Sequence, residues 1–157
     1  HAPWTYPPTA QPWKTPTVVR AAQQLFTNAP NGVTGNDDLG TMSAWYLFSA
    51  LGLYPAVPGS GQFLLHTPRF TQVEVDLGTG RTLTLAADGA DGRTLQYVQG
   101  VRVDGKDHAP VWLDWTRLQQ GGRIDFALAA QAPTRGWGTQ VDALPRSFCA
   151  TPGAVLE

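Results

Sequence analysis

Thr34-Gly35-Asn36-Asp37-Asp38-Leu39-Gly40-Thr41-Met42-Ser43-Ala44-Trp45-Tyr46-Leu47-Phe48-Ser49-Ala50-Leu51-Gly52 joins an acidic loop bounded by glycines to a strongly apolar run. The run has helical length, with Thr41 or Ser43 able to cap its start and Gly52 placed as a left-handed stop. Met42, Ala44, Trp45, Tyr46, Leu47, Phe48, Ala50 and Leu51 cover nearly its whole circumference. A helix apolar all round is one buried among other elements. The loop before it carries Asn36, Asp37 and Asp38, and a helix N-terminus favours negative charge through its free N–H groups and dipole. That suits a general base, a metal ligand or an acceptor for a polar ligand. It suits a general acid poorly, because an acid needs a raised pKa.

Upstream, His1–Lys14 interleaves Pro3, Pro7, Pro8 and Pro12 with Trp4, Tyr6 and Trp13. The prolines exclude a continuous helix, so the segment is expected to be an extended aromatic loop, either a packed connector or a lining for a ligand. Thr15-Pro16 reads as a cap followed by proline at the first helical position. Val18, Val19, Ala21, Ala22, Leu25 and Phe26 then follow at helical spacing, until Asn28-Ala29-Pro30-Asn31-Gly32 ends the helix.

Downstream, Pro58-Gly59-Ser60-Gly61 marks a boundary, and beyond it the apolar period changes from 3.6 to 2. Phe63/Leu65, Val73/Val75/Leu77, Leu83/Leu85, Val101/Val103, Val111/Leu113/Trp115 and Ile124/Phe126/Leu128 are the inward positions of six or seven strands, with no helix between them. Asp104-Gly105 is a hairpin signal. The pattern predicts an antiparallel sandwich-like module. From Pro133 onward a Pro-, Gly- and Ala-rich segment is expected to run over the surface. Residues 1–58 and 59–157 thus form two units of an α+β chain. Two helices cannot form a domain alone; the β-sheet part could cover some of the apolar helix, but a missing helical partner is the better explanation, and the chain reads as part of something larger.

Composition narrows the function. A formal net charge of -1 offers no basic surface to nucleic acid or an anionic membrane. No run of apolar residues is long enough to span a bilayer, and no signal peptide opens the chain. The sequence begins at His1 without Met, which suggests a processed protein or a fragment. The single Cys149 has no partner and no catalytic or metal pattern around it. Six Trp are many for 157 residues; most are expected in the core or at an interface. His66 and His108 lack partner patterns and read as surface or satisfied histidines. Asp88-Gly89-Ala90-Asp91-Gly92 lacks the spaced acidic ligands of a helix–loop–helix calcium site.

Four blocks together resemble the C-terminal part of the glycoside hydrolase family 92 α-mannosidases. They are His1-Ala2-Pro3-Trp4, Gln11-Pro12-Trp13-Lys14-Thr15, Gly35 through Tyr46, and Ala50-Leu51-Gly52-Leu53-Tyr54-Pro55 with Pro58-Gly59. Gly121-Gly122 and Trp137-Gly138 fit more loosely. The resemblance implies a calcium-dependent, exo-acting α-mannosidase that inverts anomeric configuration, with an N-terminal β-sandwich, a C-terminal (α/α)6 toroid and a closing β-module. Residues 1–58 would end the toroid and 59–157 would be that module. The acidic loop would supply the general base, best matched by Asp38, with Asp37 and Asn36 beside it. His1 and Trp4 would edge the sugar pocket, and Trp13 is a candidate sugar-stacking aromatic. Calcium would be the cofactor, a mannose-containing glycan and the rest of the enzyme the partners, and a secreted or periplasmic location is implied. The family's general-acid glutamate and an Asn-Glu-Pro calcium-binding stretch lie upstream of the segment matching His1. The isolated chain is therefore expected to be inactive. The competing reading is a non-catalytic carbohydrate-binding or structural β-module with a helical linker.

Overall fold

The computed structural model describes residues 1–94, 96–133 and 135–146; Cys149 lies outside them. The N-terminal stretch is not extended. It forms three single-turn 3-10 helices, Ala2–Trp4, Pro7–Thr9 and Pro12–Lys14, each with proline in its first turn. Proline blocks a long helix, yet its fixed φ suits the first turn of a short one, where an N–H would have no partner anyway. The last of these turns runs directly into helix α1, Thr15–Gln23. Lys14 occupies the N-cap position, so Thr15 is not the cap but a fully buried first residue. The helix stops short of Leu25, which is exposed, while Phe26 turns back to stack on Trp45 at 5.8 Å.

Helix α2, Thr41–Leu51, ends where expected, with Gly52 left-handed at φ 84°. It buries Trp45, Ser49 and Ala50 but leaves Leu47 57% exposed. Only one side of this all-round apolar helix is covered by the described residues.

Eight strands follow: β1 (Leu53–Tyr54), β2 (Gln62–Leu65), β3 (Gln72–Asp76), β4 (Thr82–Ala86), β5 (Tyr97–Val103), β6 (Lys106–Asp107), β7 (Trp112–Asp114) and β8 (Gly122–Ala129). They form a three-stranded sheet, β1-β2-β7, and a five-stranded sheet, β3-β4-β8-β5-β6. Every pairing is antiparallel except β4 with β8, which runs parallel with Leu85 opposite Ile124. Between those two strands the chain forms β5 and β6, crosses to the other sheet as β7, and returns. A crossover of that length is what a parallel pair requires. A short helix α3, Trp115–Leu118, lies on this path, so Trp115 opens a helical turn instead of extending the strand. The β5–β6 hairpin turns at Asp104 (φ 48°) and Gly105 (φ 77°), as the Asp-Gly pair predicts.

The three-stranded sheet is the wall between two apolar clusters. Leu53, Leu65 and Leu113 face one way and join Leu83, Leu85, Val98, Val101, Ile124 and Phe126 of the larger sheet. Tyr54, Leu64 and Trp112 face the other way and meet Trp4, Val19 and Trp45 of the helical part. Period-2 side-chain alternation makes one short strand serve both cores. The segment after Pro133 is also more than a surface run. Ala143 is 1% exposed, Trp137 packs on the larger core, and Val111 N–H donates to the Ala143 carbonyl at 2.9 Å.

Candidate functional site

The acidic loop owes its shape to three consecutive left-handed residues, Asp38 (φ 53°), Leu39 (φ 56°) and Gly40 (φ 90°). Glycine takes this conformation freely and Asp tolerates it. Leu39 does not, and its side chain is fully exposed. A non-glycine residue held left-handed costs on the order of 1–3 kcal/mol, and such strain clusters at functional sites.

This left-handed turn separates the two carboxylates by role. Asp37 reaches over it, and its Oδ1 accepts hydrogen bonds from Ser43 N and Ser43 Oγ, both at 2.8 Å. The Asp37 carbonyl accepts from Met42 N at 3.0 Å and the Asp38 carbonyl from Thr41 N at 3.1 Å. Three first-turn N–H groups of α2 are thereby satisfied by the loop, with Gly40 at the N-cap position. Asp37 is the cap, and Ser43 and Thr41 are donors to it and to its neighbour. The Asp38 carboxylate is exposed and accepts no hydrogen bond from the described residues. Asn36 beside it is also exposed. A hollow of about 410 Å³ abuts the loop at Ser43, with Phe26, Val33 and Tyr46 in its lining.

His1, Trp4 and Tyr54 form a separate aromatic group. Trp4 is 2% exposed. Its indole stacks on Tyr54 at 4.4 Å and 5°, and meets His66 edge-on at 4.6 Å. His1 is exposed on top, with Nδ1 3.3 Å from the Tyr54 hydroxyl. Trp45 of α2 packs against Tyr54 at 6.5 Å, which ties this group to the helix that carries the acidic loop. Trp13 lies apart, half-buried against a slot of about 10 Å³ shared with Pro12, Pro16, His66, Val98, Pro133 and Trp137. That slot has room for one water at most and none for a sugar ring.

Under the aromatic group runs a buried polar chain that sequence reading passed over. His66 is 3% exposed, and its Nε2 bonds the Ser49 carbonyl at 2.8 Å. Gln23 Nε2 donates to Ser49 Oγ at 2.9 Å, and Arg69 donates to Gln23 Oε1 at 3.3 Å. Burial pushes the His66 pKa down to about 3, with the neighbouring Arg20 adding to the drop against the Ser49 carbonyl. His66 is thus a buried, neutral histidine, bonded through Nε2, while its buried Nδ1 has no partner among the described residues. His108 is similar: its Nε2 bonds the Trp112 carbonyl at 2.9 Å, and burial lowers its pKa.

A wider cleft, about 880 Å³, lies on the five-stranded sheet and includes none of the expected site residues. Most of its charged lining is committed, Arg102 pairing with Asp107 at 2.9 Å and Asp125 with Arg123 at 2.7 Å, while Asp88 is exposed. Size alone does not outweigh the free carboxylate of the loop. Calcium takes about six to eight oxygen ligands. Among the described residues no three His, Cys, Asp or Glu side chains gather around one point. Asn36 and Asp38 offer two exposed donors, so the residues present do not by themselves make a calcium site. In the Asp88–Gly92 turn, Asp91 is spent on its own backbone, accepting from Arg93 N, Thr94 N and Thr94 Oγ1.

The model of the glycosyl hydrolase family 92 catalytic domain matches residues 1–130. The chain is 29% identical over 125 residues to an uncharacterized secreted glycosidase of Arthroderma benhamiae, covering 78% of this chain and 16% of that protein. It superposes on a family 92 α-mannosidase of Bacteroides thetaiotaomicron with a TM-score of 0.86 and 29% identity, covering 94% of this chain and 20% of that one. A family 92 inverting mannosidase of the same organism gives a TM-score of 0.85 and 30% identity, covering 96% and 20%. The first of these mannosidases has also been solved with mannoimidazole. The chain therefore spans about a sixth to a fifth of the length of these relatives.

Proposed function

This chain belongs to glycosyl hydrolase family 92, and from that premise we propose that it is the C-terminal part of an exo-acting, inverting α-mannosidase whose general base is Asp38. The observation that carries the reading is the division of labour in the loop. Asp37 is consumed in capping α2, while Asp38 is held in a strained turn with its carboxylate open to solvent.

An inverting glycosidase sets two carboxyl groups about 6.5–9.5 Å apart, one protonating the leaving oxygen and the other activating water on the opposite face. Asp37 and Asp38 cannot be that pair, since Asp37 is bound into the helix start. The loop supplies one half. Asp38 takes a proton from a water as that water attacks the anomeric carbon, and the glycosidic oxygen leaves with a proton from an acid outside this chain. Asn36 is placed to steer the water or a sugar hydroxyl. His1 edges the pocket, and Trp4 supports it from below through Tyr54. Residues 1–58 would close an (α/α)6 toroid, and residues 59–157 would be a sandwich-like module behind it. Calcium, if bound, would order the sugar hydroxyls with most of its ligands from elsewhere in the enzyme. A secreted or periplasmic location follows the secreted relative.

The test is hydrolysis of an α-mannoside by the whole enzyme carrying Asp38→Asn. Turnover should fall by about 10²–10⁴-fold with substrate binding retained, the usual contribution of a positioned base. Near-normal turnover would sink the assignment.

A further inference from the structure

Resting on the reading of His1 as a residue at the pocket edge, we propose that Tyr54 is its positioning residue: the phenol donates to Nδ1, which leaves Nε2–H facing outward to donate to a hydroxyl of the glycan.

The geometry gives the phenol little freedom. Its backbone is in β1, paired with Leu64 of β2, and its carbonyl accepts from Ala56 N at 3.0 Å. Its ring is 6% exposed, stacked face to face on Trp4 and met from the side by Trp45. The hydroxyl emerges from this clamp at the one place where His1 sits, 3.3 Å from Nδ1. His1 is held from its other end as well, since its carbonyl accepts from Trp4 N at 2.9 Å.

The direction of the bond follows from donor counting. A phenol has one proton to place, and a mostly buried one finds an acceptor. Among the described residues the Tyr54 hydroxyl has no other partner than His1. If Nδ1 carried the proton and donated to the phenol, the phenol's own O–H would be left without an acceptor. Donation from O–H to Nδ1 satisfies both atoms and fixes the imidazole as the Nε2–H tautomer. Burial raises the Tyr54 pKa, so the phenol keeps its proton at any working pH. Nε2 has no protein partner among the described residues, and the His1 ring is exposed. An N–H donor at a pocket rim matches the acceptor oxygen of a sugar hydroxyl.

Tyr54→Phe keeps the stack and removes only the oxygen. In the ¹⁵N-histidine-labelled whole enzyme, His1 should show an unprotonated, hydrogen-bonded Nδ1 and a protonated Nε2, and Tyr54→Phe should give a mixture of tautomers. In the whole enzyme, the same substitution should raise KM for an α-mannoside about three- to tenfold, the worth of one hydrogen bond, with kcat changed less than about twofold. A protonated Nδ1 in the unmodified enzyme overturns the proposal without any variant. Identical tautomers in the two proteins, or an unchanged KM, overturn it too. The ring signals do not depend on Asp38, so this failure is distinct from failure of the base assignment.

Discussion

Asp37 and Asp38 are neighbours of one residue type with separate tasks, and the backbone between them is the cause. The pair, its place before a helix and its suitability for a base are all legible in the sequence. Which of the two is free is not. That depends on the left-handed run at Asp38, Leu39 and Gly40, and a leucine at such a φ is a conformation no propensity would assign. His66 shows the same gap. In sequence it reads as a surface or satisfied histidine without a partner pattern, and tertiary packing decides between the two by burying it under Trp4 and against the Ser49 carbonyl. Its burial has a consequence for stability. The native pKa of about 3 lies below the ordinary 6.5, so the folded chain holds a neutral imidazole while the unfolded chain takes up a proton. The stabilisation is therefore complete above about pH 6.5 and is lost as pH falls toward 3, at about 1.4 kcal/mol per unit. Urea midpoints measured at pH 7 and pH 5 should differ more for the native protein than for His66→Gln. His108, shifted in the same direction, leaves a residual slope in both. Equal slopes would show that His66 is not buried neutral.

β2 is the element on which the two apolar clusters meet, with Leu64 on one face and Leu65 on the other. Apolar alternation located this strand, and it located β3, β4, β5, β7 and β8 as well. It could not show that β4 and β8 run parallel, because strand direction is set by the path of the chain and not by side-chain period. The 3-10 turns of the N-terminus were hidden for a related reason: proline marks where a long helix cannot form but does not reveal the short turn it opens. One helix end was clearer, the Gly52 stop of α2, and with Gly40 at the other end of that helix it allows a paired test. Gly52 and Gly40 are both left-handed, at φ 84° and 90°. A Cβ on Gly52 would lie 2.8 Å from Pro68 Cγ and 2.9 Å from the His66 carbonyl, whereas a Cβ on Gly40 would meet nothing within 4 Å. Gly40→Ala should therefore cost only the left-handed penalty, about 1–2 kcal/mol. Gly52→Ala adds a clash beneath the aromatic group and should cost about 3 kcal/mol or more. Chemical denaturation of the two variants checks the difference. Equal losses would mean that the α2–β1 corner yields to the extra methyl group.

The chain covers about a fifth of the mannosidases it superposes on, and under the proposed reading the outer side of α2 is the face that further helices would cover. Its buried side carries Trp45, Ser49 and Ala50; its outer side leaves Ala44 and Leu47 in solvent. The sequence announced this conflict, since a helix apolar all round needs covering on every side. It could not say which side the chain's own residues would cover, because that is decided by Phe26, Tyr54 and the three-stranded sheet closing on Trp45. In the isolated chain the outer stripe should drive self-association, as exposed apolar patches do. Sedimentation velocity over a range of concentrations should show oligomers of the chain alone, and Leu47→Lys should shift them toward monomer without loss of helical signal, since the side chain is 57% exposed. In the whole enzyme the same lysine would sit against the neighbouring helices, so it should lower stability by about 2–5 kcal/mol, as burying an unpaired polar group in a core contact does. A monodisperse native chain would refute the stripe as a docking face. A whole enzyme indifferent to Leu47→Lys would refute the proposal that further helices cover this side of α2.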